Sequence, residues 1–368
     1  MEEFFQTADQ WGPYKVVHIN RPAVGLRAVV AIDNIACGPA IGGARMATDV
    51  SVSEACRLAR AMTLKNAAAG LAHGGGKSVI FADPRMPPAE KERLIRAFAG
   101  AIADITDYIV GPDMGTDERC MGWIKDEIGR AVGLPREIGG IPLDEIGATG
   151  LGLATAIEAA QGTAGIDLKG ARVAVQGFGA VGKHAARFLA KQGAVLVAAS
   201  DTSGTVFDPG GLDVAALIAL KDNGQTLHSH STGQKLGVDA IIDADCDIWI
   251  PAARPDVIHG GNVARLKARI VAEGANIPLT DEAEIELHRR DVLVLPDFIA
   301  NAGGVICAAV EYHGGSESAA LATIVEKVGA NTHAVLAEAR RTGTPPRQAA
   351  ANLAQQRVRA AMATRRWR

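Results

Sequence analysis

Residues 172–182 read Arg-Val-Ala-Val-Gln-Gly-Phe-Gly-Ala-Val-Gly, and an Ala-rich helical stretch follows. This is strand, G-x-G-x-x-G, helix, in the order a dinucleotide-binding turn requires. Gly177 allows the tight turn, Gly179 lets the backbone approach a pyrophosphate, and Gly182 brings helix against strand. The pyrophosphate then meets N–H groups at the helix start, where Ala180 and Val181 lie. The next apolar run ends at Asp201, 24 residues after Gly177. A carboxylate there can accept both ribose hydroxyls and repel a 2′-phosphate, so NAD is expected ahead of NADP. Thr202 and Ser203 are the neighbours that could help hold a phosphate.

Around this fingerprint the pattern is that of a doubly wound α/β domain. The runs Ala171–Gln176, Val195–Ser200, Ile248–Ile250, Ile270–Ala272 and Val292–Leu295 are short, apolar and of parallel-strand type. Helical segments at Ala180–Lys191 and Leu212–Lys221 lie between some of them, and Gly150–Ala160 precedes them. After about Glu317 the chain is Ala-rich and helical, broken at Pro345-Pro346. Such a helical pair is expected to pack back on another domain. The first 145 or so residues mix strands at Leu26–Ile32, Ser78–Phe81 and Tyr108–Val110 with helices. One helix starts at the capping box Ser51-Val-Ser-Glu54 and runs to about Ala69, stopping at Gly70; another covers Ala89–Ile105. The expected division is 1–145, 146–325 and 326–368.

Composition narrows the class. The chain has 368 residues, 48% hydrophobic and 21% charged, with a net charge of −3. That is ample for packed cores and gives no electrostatic case for nucleic acid as a partner. No window offers the ~20 uninterrupted apolar residues of a membrane span. The acidic start Met1-Glu-Glu-Phe-Phe5 lacks the features of a signal peptide, and the basic tail Arg365–Arg368 reads as a solvated helix end. Five dispersed cysteines, never spaced C-x-x-C, fit a reducing cytoplasm. The 42 glycines, set against 8 Phe, 4 Trp and 3 Tyr, indicate many tight backbone turns.

Two lysines stand out. Leu58, Met62, Lys65 and Ala69 fall on one stripe of the Ser51–Ala69 helix, so Lys65 is expected on an apolar face, where it must snorkel, pair or serve a ligand. Gly74-Gly75-Gly76-Lys77 then leads into a strand, and three glycines let backbone and Lys77 crowd a small ligand. A Walker loop would need glycine where Leu71 stands. Two neighbouring, partly desolvated cations are expected to depress each other's pKa and leave one as a base near neutral pH. Asp113, in Gly111-Pro-Asp-Met-Gly115, sits just past a strand, where it can reach a cleft or form an ordinary Asx turn.

Read together, these segments resemble the glutamate/leucine/phenylalanine/valine dehydrogenases, and most closely the leucine/phenylalanine branch. The matching stretches are Gly38–Arg45, Met62–Leu71, Gly74–Ile80, Gly111–Thr116, Gly147–Gly152, the Gly177 fingerprint and Leu295–Val305. The resemblance implies two α/β domains flanking a cleft, the second Rossmann-like, with the C-terminal helices returning to the first. It implies Lys65 as the binder of the substrate α-carboxylate, Lys77 as the catalytic lysine that activates water, and Asp113 as the acid that exchanges protons with the amino group. Thr149 is the implied contact of the nicotinamide amide. Asn276 and Asn301 are the implied cofactor contacts in Ala272–Asn276 and Leu295–Val305. The substrates are then a small amino acid or 2-oxo acid with ammonia, the assembly a homo-oligomer, and no metal is needed.

The resemblance also bears on the side chain. In the glutamate enzymes a lysine and a serine grip the distal carboxylate, and Ile41 and Ala308 stand at those positions here. A glutamate carboxylate against them would lose its charge partner. The implied lining is Ile41, Gly42, Met62, Gly111, Val305 and Ala308, all apolar or small, which suits phenylalanine or a leucine/valine-type substrate. Two rivals stand beside this reading: a non-catalytic dinucleotide-binding protein of the same fold, and an oxidoreductase acting on a hydroxy acid. His228 and His230 are expected in a solvent loop rather than at a metal.

Overall fold

The computed structural model describes residues 8–365. The start at Met1–Phe5 and the tail residues Arg366, Trp367 and Arg368 lie outside them. The chain divides into two compact units, each discontinuous in sequence. Unit 1 takes Met1–Pro142, Val305–Ala320 and Leu353–Arg368; unit 2 takes Leu143–Gly304 and Leu321–Asn352.

In unit 1, β1 (Lys15–Arg21), β2 (Leu26–Asn34), β3 (Ala40–Ala47), β4 (Gly74–Phe81) and β5 (Tyr108–Pro112) form one sheet in the order β1-β2-β4-β3-β5. β3 runs parallel to β4 and β5, while β2 is antiparallel to β1 and β4. The helices are α1 (Val52–Ala68), α2 (Pro88–Ala101) and α3 (Glu118–Ile128). The alternation of β2 supplies both faces. Val30 and Ile32 join Ile95, Phe98 and Met121 in one core, and Val29 and Ala31 join Ala55 and Ala59 of α1 in another.

The helix start at Ser51 forms as the capping box requires, with Ser51 Oγ accepting the Glu54 N–H at 3.1 Å. Its buried face differs from the expected one. Ala55, Cys56, Ala59, Thr63, Asn66 and Ala67 are buried, while Leu58, Met62 and Lys65 are only half-buried. The cause lies in β4. A Cβ at Gly75 would lie 2.0 Å from the Thr63 nitrogen, and one at Gly76 would strike the Tyr108 ring at 2.8 Å. The three glycines thus lie inside a central strand that begins four residues before the expected start at Ser78. They let α1 approach the sheet with its smallest side chains inward.

In unit 2, α4 (Leu143–Ile146) and α5 (Ala148–Ala164) precede β6 (Arg172–Gln176), α6 (Ala180–Lys191), β7 (Val195–Asp201), β8 (Gly204–Phe207) and α7 (Val214–Asp222). Then come β9 (Gln234–Leu236), β10 (Ile248–Pro251), β11 (Ile270–Ala272), α8 (Asp281–Arg289), β12 (Leu293–Leu295) and α9 (Asp297–Ala300). The sheet runs β12-β11-β10-β6-β7-β8-β9. Its first five strands are parallel, and these are the five apolar runs read in the sequence. The antiparallel strands β8 and β9 were not expected, because Gln234-Lys-Leu236 is short and polar. Strand order reverses between β6 and β10, the point where doubly wound sheets take their ligands.

The last helices are α10 (Gly303–Tyr312), α11 (Glu317–Thr342) and α12 (Pro346–Ala363). The expected segment 326–368 is not one piece returning to the first domain. Residues 321–352 belong to unit 2, and 305–320 with 353 onward belong to unit 1. Arg347, at the start of α12, is held by three carboxylates of unit 2, which ties the Pro345-Pro346 break there. Among the described residues no helix is long and apolar enough to cross a membrane.

Candidate active site

Strand β4 carries Lys77, Asp113 follows directly on β5, and the two are ion-paired. Asp113 is set by its own turn. Its Oδ1 accepts the Met114 N–H at 2.7 Å, its N–H donates to Thr116 Oγ1, and that hydroxyl donates to the Ala44 carbonyl at 2.8 Å. Arg45 of β3 completes the group, with Nε 3.5 Å from Asp113 Oδ2 and Nη1 2.6 Å from Glu54 Oε1. Burial pushes the Lys77 ammonium below its ordinary range; Asp113 opposes the shift and Arg45 adds to it. Burial pushes the Asp113 carboxyl up, but Lys77, the Met114 N–H and Arg45 outweigh it and hold it below the usual carboxylate range. A buried lysine with a lowered pKa beside an ionised carboxylate is an arrangement that can handle protons. Burial is the main source of the depression, and Arg45 is a cation the sequence reading had not paired with Lys77.

Lys65 stands half-buried on α1, two residues beyond the Thr63 that meets Gly75 of β4. Beside β3 several of the residues expected on the substrate side collect. Ile41 and Ala308 are buried in one apolar cluster with Ile109, Val132 and Ala309, and Leu71 packs against it. Gly111 faces the same cluster, since a Cβ there would meet Val132 Cγ2 at 3.3 Å. The Gly42 carbonyl accepts the Tyr108 hydroxyl at 2.9 Å, and a Cβ at Gly42 would run into the Gly76 carbonyl. Met62 and Val305 are half-buried and outside this cluster.

In unit 2 the three fingerprint glycines have three distinct surroundings. Gly177 has φ +87°, and a Cβ would strike Ala253, just past β10, at 2.8 Å. A Cβ at Gly182 would lie 2.2 Å from the Gly177 carbonyl oxygen. At Gly179 nothing lies within 4 Å, and no side chain caps the start of α6. Exposed Gly179 and Ala180, with half-buried Val181, leave an open, uncapped helix start at the switch point. These residues fit a pyrophosphate. Thr149 lies in the first turn of α5, where a Cβ at Gly304 would meet its Oγ1 at 3.2 Å. Asn301 Nδ2 donates to Asn276 Oδ1 at 3.1 Å and reaches the Gly274 carbonyl at 3.3 Å, so the two asparagines come together.

Both halves of this arrangement match one family. Residues 13–130 match the profile described as "Glu/Leu/Phe/Val dehydrogenase, dimerisation domain", and residues 139–366 match "Glutamate/Leucine/Phenylalanine/Valine dehydrogenase". The chain belongs to this family. It is an amino-acid dehydrogenase, an oxidoreductase acting on CH–NH2 groups with a nicotinamide dinucleotide. The dehydrogenase is 38% identical over 357 residues to a glutamate dehydrogenase of Aeropyrum pernix, covering 91% of this chain and 85% of that one. It superposes on the Leu-bound hetero-hexameric glutamate dehydrogenase of Thermus thermophilus with a TM-score of 0.84 and 31% identity, over 95% and 89% of the two chains. It superposes on L-tryptophan dehydrogenase of Nostoc punctiforme with a TM-score of 0.75 and 27% identity, over 98% and 99%.

Other features of the dehydrogenase were not anticipated. Arg45 was visible only as the last letter of a glycine-rich stretch; its role depends on Glu54 and Asp113 arriving from other elements. Asp201 ends β7 as expected, but its four acceptor sites are filled by the protein. Oδ1 accepts from Ser203 N and Oγ, and Oδ2 from the Leu227 N–H and Lys221 Nζ at 2.8 Å. Burial would raise its pKa, but these donors win and lower it to about 2. His228 and His230 lie outside bulk solvent, one half-buried and one buried, each hydrogen-bonding a backbone carbonyl oxygen, of Leu236 and of Thr232.

Proposed function

We propose that the dehydrogenase catalyses the NAD-dependent, reversible oxidative deamination of a large apolar L-amino acid, of phenylalanine or leucine/valine type, to the 2-oxo acid, ammonia and NADH. The observation that carries this reading is the packing of Ile41 with Ala308, Ile109 and Val132. Several relatives are named glutamate dehydrogenases. A second carboxylate set against this cluster would be desolvated with no cation among its members, at a cost that outweighs its packing.

Lys65 anchors the α-carboxylate and so sets Cα for transfer, which is the orientation part of the rate. The bound dinucleotide supplies the hydride acceptor, held by Gly177, Gly179, Ala180, Val181 and Gly182 at the pyrophosphate and by Thr149, Asn276 and Asn301 at the nicotinamide end. Lys77, poised by burial, takes the proton of the water that attacks the iminium carbon. Asp113 then passes a proton to the departing amine. NAD is favoured by the ionised Asp201, whose charge Lys221 partly offsets. The "dimerisation domain" description of residues 13–130 and the hexameric relative support a homo-oligomer.

The test is a set of oxidation rates for Phe, Leu, Val, Trp and Glu with NAD and NADP. A clear preference for Phe or Leu/Val with NAD is expected; a preference for Glu overturns the pocket reading. Reduction of a 2-oxo acid should require ammonia, and ammonia-independent reduction would instead indicate a hydroxy-acid enzyme. NADH binding without any turnover would leave only the non-catalytic alternative.

A further inference from the structure

The turn after β11, Glu273-Gly-Ala-Asn-Ile277, carries Asn276, and its backbone is strained. Ile277 is β-branched and exposed, yet has φ +50°. Such a conformation is costly for a β-branched residue and persists only where its surroundings impose it. Here they do. The Ile277 N–H donates to Asp297 Oδ2 at 2.9 Å, and the Gly274 and Ala275 N–H groups donate to the Pro251 carbonyl.

Asp297 is held in turn. Its N–H donates to Glu273 Oε2 at 2.7 Å, and its Oδ1 accepts from Arg347 Nη1 at 3.0 Å. The same guanidinium reaches Glu273 Oε2 through Nη2 and Glu284 Oε2 through Nε, and lies over the Phe298 ring. Three carboxylates therefore share one cation. Glu273 is fully buried, and its Oε1 has no hydrogen-bond partner. Burial pushes the Glu273 carboxyl up to about 8; Arg347 opposes this and the neighbouring Asp297 and Glu284 add to it.

We propose that Glu273, Glu284, Asp297 and Arg347 are positioning residues for the dinucleotide: they hold the Asn276 turn in its strained shape, and loosen it when the cluster takes on a second net negative charge. This rests on the reading of Asn276 and Asn301 as cofactor contacts. With Glu273 protonated the cluster carries one net negative charge. Loss of that proton sets a second carboxylate against Asp297 in a buried site. Asp297 can relieve the repulsion only by drawing away, which releases the Ile277 N–H and lets Asn276 shift.

The test measures NADH binding to the full-length enzyme without substrate, by fluorescence titration between pH 6.5 and 9.5, so that the titration of Lys77 in turnover plays no part. The dissociation constant of the wild type is expected to rise above about pH 8, approaching tenfold per pH unit. Removing Arg347 risks unfolding unit 2, so the informative variant is Glu273→Gln, which keeps the side-chain shape and cannot ionise. Its ratio of dissociation constants at pH 9.5 and 6.5 should be close to one. A pH-independent wild type, or a Glu273→Gln variant that keeps the wild-type pH dependence, overturns the proposal. Asn276→Ala separates the two levels: NADH binding as tight as wild type means that the cofactor reading of Asn276 has failed, whatever the pH series gives.

Discussion

Each unit of the dehydrogenase buries a cluster of charges, and the two are built oppositely. In unit 1, Lys77 and Arg45 face Asp113 and Glu54, two cations against two carboxylates. In unit 2, Arg347 alone faces Glu273, Glu284 and Asp297. Burial perturbs a base in the first, lowering Lys77, and an acid in the second, raising Glu273. The balanced cluster can hold its carboxylate ionised while its lysine stays ready to lose a proton, which suits chemistry. The unbalanced one needs a proton to be stable, which suits holding a turn in place. Desolvation alone decides neither role; the count of partners does.

The most damaging way to break the comparison is Lys77→Met, expected to lower kcat by roughly 10²–10⁴-fold, the usual worth of a general base. Steady-state kinetics should show this with a smaller fall in thermal midpoint than Arg347→Met gives, because Arg45 still faces Asp113. Arg347→Met should do the reverse. Leaving three buried carboxylates without a cation costs about 3–5 kcal/mol, read as a fall in the urea midpoint of the full-length protein. Arg45→Met should act more mildly. Removing a cation that depresses Lys77 moves the rising limb of the kcat–pH profile to higher pH, and an unmoved limb would separate Arg45 from the Lys77–Asp113 pair.

The smallest effect is in stability against pH. Glu273 has its folded pKa raised above the unfolded value, so its contribution is fully present below about 4.5 and is lost as pH rises through about 8. Lys77 is shifted down, so the unfolded chain holds the proton over the window between its folded value and 10.5, and stability rises with pH there. Thermal melts of Glu273→Gln should therefore decline less between pH 5 and 8 than those of the wild type.

How far the sequence could be read followed the distance over which each feature is determined. The fingerprint glycines, the Ser51 cap and all five parallel strands were legible, because neighbours within a few residues dictate them. The glycines of β4 were read as leading into the strand and not as part of it, because their reason is spatial: Thr63 and Tyr108 occupy the room that side chains would take. For the same reason the larger residues Leu58 and Met62 suggested the wrong buried face for α1. Arg347 was invisible, since its three partners lie 50, 63 and 74 residues away and only the fold collects them. Asp201 shows the opposite error: its position was read correctly, but Lys221 and Ser203, which fill its acceptor sites, were not foreseen.

The interleaving of the two units has a consequence for biosynthesis. Unit 2 cannot be completed until residue 352 has been made, and unit 1 waits still longer. Arg357 on α12 caps the far end of α1 by donating to the carbonyls of Ala67 and Ala68, and Arg365 donates to the carbonyl of Ala36. Lys77 and Asp113 thus leave the ribosome more than two hundred residues ahead of the segment that closes their own unit. Until it arrives, the glycine-lined approach of α1 to β4 lacks its clamp, so the first unit closes only after the last helix is made.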